Sequence, residues 1–268
     1  MPQAVTYRRP PGLSGVELLR LEDPNFGFAP HIHDAYVFWL NGRGGERVSL
    51  GGASGILQPD SFGVVAPGEV HANHPVTASR TLQSFYVDAA VIETMAERNG
   101  GRCAGFRSRL QRDPAARSEL ASLHAVLLRT PDPFEAAERF QLAFIRLMER
   151  HGEGTARSVP GRDPEKVRLA RRIMDEQWQG TLTVEALADL CGCSPAHLIR
   201  LFKRETGMTP HAYLMERRLA RARTGLAGEA PIADVAAACG FADQAHLNRR
   251  FAARFGLTPA RYRSQMRG

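Results

Sequence analysis

The chain has 268 residues, 43% of them apolar and 24% charged, which suits two globular domains of about 100–150 residues and excludes fibrous repeats or wholesale disorder. Net charge is +7 and unevenly placed: residues 1–161 carry 17 Lys+Arg against 17 Asp+Glu, and residues 162–268 carry 18 against 11, 16 of those cations being arginine. The longest stretch without a charged residue, 48–59, is 12 residues, short of the ~18 that a spanning helix needs, so no membrane partner is expected.

The N-terminus, MPQAVTYRRPPG, lacks the apolar core of a secretory signal, and the expected compartment is the cytoplasm. Six short apolar runs follow: VELLRL (16–21), AYVFWL (35–40), ERVSL (46–50), SGILQP (54–59), FGVVAP (62–67) and TLQSFYV (81–87). Separated by Gly, Pro and Asn, they predict an all-β barrel or sandwich. From residue 88 the pattern turns helical, through VIETMAERN, SELASLHAVLLR (118–129) and PFEAAERFQLAFIRLMERHG (133–152). In the last of these Phe140, Phe144, Leu147 and Met148 share one face. That stripe fits packing on the chain's own barrel or a dimer helix equally well. Residues 152–163, GEGTARSVPGRD, have linker composition and coincide with the charge discontinuity.

The basic part contains an internal repeat. VEALADLCGCSPAHLIRLFKRETGMTPHAY (184–213) aligns with IADVAAACGFADQAHLNRRFAARFGLTPARY (232–262) after one extra residue in the second turn, and twelve positions then match. In each copy an apolar helix face (Val184, Leu187, Ala188, Cys191; Ile232, Val235, Ala236, Cys239) ends at a glycine, Gly192 or Gly240, suited to a left-handed cap. Ser194 or Asp243 then caps a second helix. That helix buries Leu198, Leu201 and Phe202, or Leu247, Phe251 and Phe255. Its polar face carries Arg200, Lys203 and Arg204, or Gln244, Asn248, Arg249 and Arg250. Two short helices with a basic outer face on the second make a helix-turn-helix, here in tandem. Each copy closes with Gly-x-Thr-Pro-x-x-Tyr, whose Thr and Pro start another helix. The first such helix, about Pro210 to Leu226, is ~25 Å long. With its end packing it suits two recognition helices one DNA turn, ~34 Å, apart. Its Arg217, Arg218, Arg221 and Arg223 are either solvated charges or internal ion-pair partners.

These motifs resemble the AraC/XylS family of bacterial transcription regulators over about 100 C-terminal residues. The resemblance rests on LADLCGCSPAHLIRLFKRETGMTPHAYL and IADVAAACGFADQAHLNRRFAARFGLTPARYR. It implies a seven-helix domain with both recognition helices in adjacent major grooves of double-stranded DNA, and RNA polymerase as a further partner. By position, Ala196, Ile199 and Arg200 of the first helix and Gln244, Ala245, Asn248 and Arg249 of the second face the groove. Ser194, Lys203 and Asp243 suit phosphate positioning or capping. Arg200, Gln244, Asn248 and Arg249 can pair with base edges, whereas Ala196, Ile199 and Ala245 offer only methyl contacts. His197 and His246 are read as partly buried and structural.

The N-terminal half resembles the family's small β-barrel sensor, a cupin, through His31-Ile-His33 before AYVFWL and Pro67-Gly-Glu-Val-His71 after FGVVA. Cupin enzymes hold a metal with an H-x-H pair, a nearby Glu and a later His. Here His31, His33 and His71 are candidate metal ligands, but 36–40 read YVFWL and supply no carboxylate. The preferred reading has no resident cofactor. In it His31, His33, Tyr36, Phe38, His71 and Tyr86, with Phe85, line or support a pocket for a small-molecule effector, only about half of them facing inward. The fold class is thus α+β in two domains. A cupin-like barrel with flanking helices, effector-binding and a possible homodimer contact, spans 1–151. A linker spans 152–163, and an all-α tandem helix-turn-helix domain spans 164–268. The expected function is a non-enzymatic, effector-controlled DNA-binding regulator. The alternative is a metal-dependent cupin enzyme fused to a DNA-binding domain. DNA-repair methyltransferases join a similar helix-turn-helix to zinc-bound cysteines, but Cys103, Cys191, Cys193 and Cys239 have no C-x-x-C pair and read as structural.

Overall fold

Residues 4–23, 25–51, 53–77, 80–98, 105–129, 133–153, 165–179, 182 and 184–267 are described by the computed structural model. Residue contacts divide the chain into two compact units, one of residues 2–28 and 33–157 and one of residues 158–268, with which residues 29–32 are also grouped. The expected linker from 154 on, and Cys103, lie outside the described residues.

The first unit runs β1 (Ala4–Arg8), β2 (Val16–Glu22), β3 (Phe28–His31), β4 (Tyr36–Arg43), β5 (Glu46–Leu50), β6 (Ala53–Leu57), β7 (Ser61–Val65), β8 (His71–Pro75), β9 (Thr81–Val87), α1 (Ala89–Arg98), β10 (Arg109–Arg112), α2 (Pro114–Leu127) and α3 (Pro133–His151). Six strands pair in the order β1-β2-β9-β4-β7-β10 and four in the order β3-β8-β5-β6. One face of the larger sheet is covered by helices. Leu18, Phe38, Leu40, Phe62, Val64, Phe85 and Val87 pack there against Leu120 and Leu123 of α2 and Phe140, Phe144, Leu147 and Met148 of α3. The stripe on α3 is therefore spent inside its own unit: Phe140 is 1% and Phe144 0% exposed. Burial on both faces also explains why these strands read as unbroken apolar runs rather than alternations.

Four strands escape a sequence reading: β1, β3, β8 and β10. They span four or five residues each, three of them lie at sheet edges, and FAPH, HANHP and RLQR are poor in β-branched side chains.

The second unit comprises α4 (Glu165–Glu176), α5 (Val184–Leu190), α6 (Pro195–Thr206), α7 (Pro210–Gly225), α8 (Ile232–Ala238), α9 (Gln244–Phe255) and α10 (Pro259–Arg267). The repeat is visible as α5–α6 and α8–α9. Gly192 and Gly240 follow the first helices at φ +60° and +73°. Ser194 Oγ accepts from the His197 N–H at 3.3 Å, and Asp243 Oδ1 accepts from the His246 N–H at 2.6 Å. The second helices stop at Gly207 and Gly256, whose φ of 78° and 76° would strain any side chain with a Cβ. The Tyr that ends each repeat then slides under its recognition helix. Tyr213 lies edge-on to Phe202 and Tyr262 to Phe251, both at 5.5 Å, and both tyrosines are essentially fully buried. No helix among the described residues is long and apolar enough to cross a membrane.

Candidate functional site

Each recognition helix is fixed from below by its buried leucine and phenylalanines, which turns the opposite face to solvent. On α6 that face shows Ile199, Arg200 and Lys203; Ala196 belongs to the first turn of the same helix. On α9 it shows Gln244, Ala245 and Arg249, all exposed, and a half-buried Asn248. Ser194 and Asp243 are engaged as caps at the helix entrances. His197 is exposed rather than partly buried, because its turn of α6 points outward. Its counterpart His246 is half-buried, its ring 5.5 Å from that of Phe241.

The arginines of this unit fall into two groups. Most hold the domain together. On α7, Arg217 pairs with Asp175 at 2.8 Å, and Arg218 donates to the carbonyls of Trp178 and Gly240 at 2.9 and 3.0 Å. Arg221 lies over the Trp178 ring and Arg223 over that of Phe255. Arg254, buried, pairs with Glu216 at 2.9 Å; burial pushes the Glu216 carboxyl up, and Arg254 opposes that shift. Arg263 and Arg267 donate to carbonyls after α7, and Arg204 pairs with its neighbour Glu205. By contrast Arg200, Lys203, Gln244, Asn248 and Arg249 make no side-chain hydrogen bond or ion pair among the described residues. Sequence alone shows sixteen arginines; only the packing separates structural ones from those left with unspent donors.

In the first unit the sequence-predicted residues divide. His31, His33 and His71 converge: all three are buried, and their ring nitrogens lie within 4.8 Å of one another. Tyr86 joins them, its ring 4.9 Å from that of His33. The Nδ1–H groups of His31 and His71 donate to the carbonyls of Ala29 (2.6 Å) and Glu69 (3.3 Å), which leaves Nε2 as the lone-pair nitrogen on each ring. Tyr36 and Phe38 do not belong to this group. Val37 sits opposite Tyr86 in the strand register, so the intervening side chains of β4 point to the other face. There Phe38 meets Phe106 at 4.9 Å and Phe144 at 5.1 Å, and Tyr36 packs beside it. Phe85 turns the same way, toward His124 and Phe144. These three are sheet-to-helix core.

The sequence reading also missed a buried polar network. Glu46 and Arg80 form an ion pair with both side chains at 0% exposure. Glu46 Oε1 further accepts from Asn73 at 2.6 Å and Oε2 from Trp39 Nε1 at 3.2 Å, and Arg80 donates to the Phe26 carbonyl at 2.5 Å. Burial pushes the Glu46 carboxyl up while Arg80, Asn73 and Trp39 pull it down. A signal was present: in ERVSL, Glu46 shares a strand face with buried Val48. His124 of α2 is a second such group. Its Nε2–H donates to the Leu19 carbonyl at 3.0 Å, Gln83 Nε2 approaches its Nδ1 at 3.4 Å, and burial depresses its pKa to about 4.

Comparison with known proteins covers both units. The AraC-like ligand binding domain family matches residues 13–144, and the helix-turn-helix domain family matches residues 187–265. The chain belongs to the AraC/XylS family. It is similar to an uncharacterized HTH-type transcriptional regulator, YbfI of Bacillus subtilis, with 24% identity over 87% of this chain and 86% of YbfI. It is similar also to the bifunctional transcriptional activator/DNA repair enzyme AdaA of Bacillus subtilis, with 35% identity over 38% of this chain, spanning 48% of AdaA. In fold it resembles ToxT of Vibrio cholerae in the form bound to an unsaturated fatty acid: TM-score 0.59, 12% identity, 95% of this chain and 96% of that one. This AraC/XylS protein is thus a DNA-binding transcription regulator with an N-terminal ligand-binding domain.

Proposed function

We propose that this regulator is switched by a small-molecule effector held in the barrel near His31, His33, His71 and Tyr86, and that α6 and α9 read operator DNA through Arg200, Lys203, Gln244, Asn248 and Arg249. The observation that carries the reading is the sorting of side chains: Arg217, Arg218, Arg221, Arg223, Arg254, Arg263 and Arg267 are tied to carboxylates, carbonyls or rings, and these recognition-helix groups have no such partner among the described residues. Uncommitted donors on an exposed helix face favour phosphate and base-edge contacts. ToxT, of the same fold, is a precedent for a fatty acid bound by such a protein. The effector must bind one arrangement of the regulator better than another to act at all. RNA polymerase and a second copy of the chain complete the reading as partners, on family membership alone.

Footprinting on the DNA beside the gene, with and without candidate metabolites, tests it. Protection of two adjacent major-groove segments, altered by a metabolite, is expected. A fragment of residues 162–268 should still bind but ignore the metabolite; an effector-sensitive fragment overturns the division of labour.

One cluster favours a second reading, in which a divalent metal is the effector. Three imidazoles within 4.8 Å of one another suit a facial nitrogen triad. Glu46, whose oxygens are occupied by Arg80, Asn73 and Trp39, is no fourth ligand. That donor set fits zinc better than the two-histidine, one-carboxylate pattern of iron oxygenases. Titration of metal-free protein with zinc, iron and manganese, repeated on His31→Ala and His71→Ala, decides this. Unchanged affinity in the variants rules it out.

A further inference from the structure

The two readers occupy equivalent places in the repeat, so they can be compared position by position. His197/His246 and Arg200/Arg249 fix the alignment. Pro195 then stands where the second copy has Gln244, Ile199 where it has Asn248, and Lys203 and Arg204 where it has Ala252 and Ala253. The shared arginine is exposed and uncommitted in both copies. The other positions trade one chemistry for another.

We infer that the two helix-turn-helix copies are specialised, α9 carrying most of the base discrimination and α6 supplying most of the backbone grip. This rests on the DNA-reading assignment proposed above. The first turn of a recognition helix is the part that meets base edges. In α9 it begins with Gln244, and Asn248 follows one turn later on the same side. Both are amides, the side chains that bond adenine N6 and N7 bidentately, and Arg249 beside them matches guanine O6 and N7. In α6 the corresponding first residue is Pro195, which has no side-chain donor or acceptor. Ile199 is an isoleucine left 36% exposed among polar neighbours, suited to a thymine methyl. Only Arg200 there can make a bidentate base contact. Lys203, exposed and unpaired, and Arg204, exposed beside Glu205, add positive charge that Ala252 and Ala253 lack, whereas the extra cation of α9, Arg250 in place of Leu201, is engaged with His246 Nε2 at 3.4 Å. The second box should therefore contain adenines next to a guanine. The first should contain a guanine beside a thymine and tolerate substitution elsewhere.

The test is selection of bound duplexes from a randomised pool by the full-length protein, then competition binding with single variants whose melting temperature matches the parent. Two boxes about 10 bp apart are expected, one with markedly higher information content. Gln244→Ala and Asn248→Ala should relax adenines only in the stronger box. Arg249→Ala should relax its guanine, and Arg200→Ala a guanine only in the weaker box. Each loss should be about 5- to 150-fold in discrimination, following the usual worth of one bidentate pair. Ile199→Asn should bring an adenine preference into the weaker box. Equal information in both boxes, or Asn248→Ala and Arg249→Ala pools identical to the parent's, overturns the specialisation while leaving a DNA-reading regulator intact. A pool from which no sequence is enriched overturns both.

Discussion

In the barrel, an ion pair lies fully buried: Glu46 and Arg80 are held by each other, by Asn73, by Trp39 and by a backbone carbonyl, with Arg80 Nε left without a hydrogen bond among the described residues. On the outer faces of the recognition helices Arg200, Gln244 and Arg249 stand in solvent, while the inner faces are held by leucine and phenylalanine and, on α9, by the Arg254–Glu216 pair. The difference teaches where mutation should be felt. Inside the barrel, polar side chains are part of what makes the unit fold; on the exposed faces of the recognition helices they are free to change with little effect on folding.

The largest effect should come from the buried pair. Arg80→Ala strands the Glu46 carboxylate and should cost about 3–5 kcal/mol of stability, whereas replacing both partners with apolar residues of similar volume should recover much of it. Urea denaturation of the three proteins measures this. A single variant as stable as the parent would break the contrast between the units.

His124 comes next. Its folded pKa of about 4 lies below the ordinary 6.5, so between those values the unfolded chain takes up a proton that the fold refuses. Stability should therefore be full above pH 6.5 and fall as pH drops toward 4, by up to about 3 kcal/mol at the low end. His124→Gln should flatten that limb in denaturation curves at a series of pH values.

On the recognition helices the effects should be smaller and confined to DNA. Arg249→Ala should weaken specific binding by about 1–3 kcal/mol without moving the melting temperature. Lys203→Ala should weaken binding to all sequences alike and lower the salt slope by about 1. Gel-shift titrations at several salt concentrations separate the two.

Much of the helical unit was legible before any coordinates, because a repeat constrains itself twice. Ser194 and Asp243, Thr209 and Thr258, or Gly192 and Gly240 each mean little singly, and together they fix the helix ends. What stayed hidden was partnership. Arg217 and Arg218 look no different in sequence from Arg200, and only the three-dimensional neighbours Asp175, Trp178 and Gly240 reveal their structural use. In the barrel, the continuous run AYVFWL concealed which residues face which layer. A doubly buried strand has no polar side to orient it, so nothing in the run shows that Tyr36 and Phe38 face the helices rather than the histidines. The histidine cluster was findable because His31, His33 and His71 are rare and polar among apolar neighbours.

One guanidinium sets a limit on what DNA this protein can use. Arg218 ties α7 at once to the carbonyl of Trp178, after α4, and to that of Gly240, in the turn of the second copy. Such a clasp resists changes in pitch between the readers, and one added base pair rotates the second target by about 34° around the duplex axis. Operators with a single-base insertion between their halves should thus lose one reader altogether rather than be followed by a flexing protein.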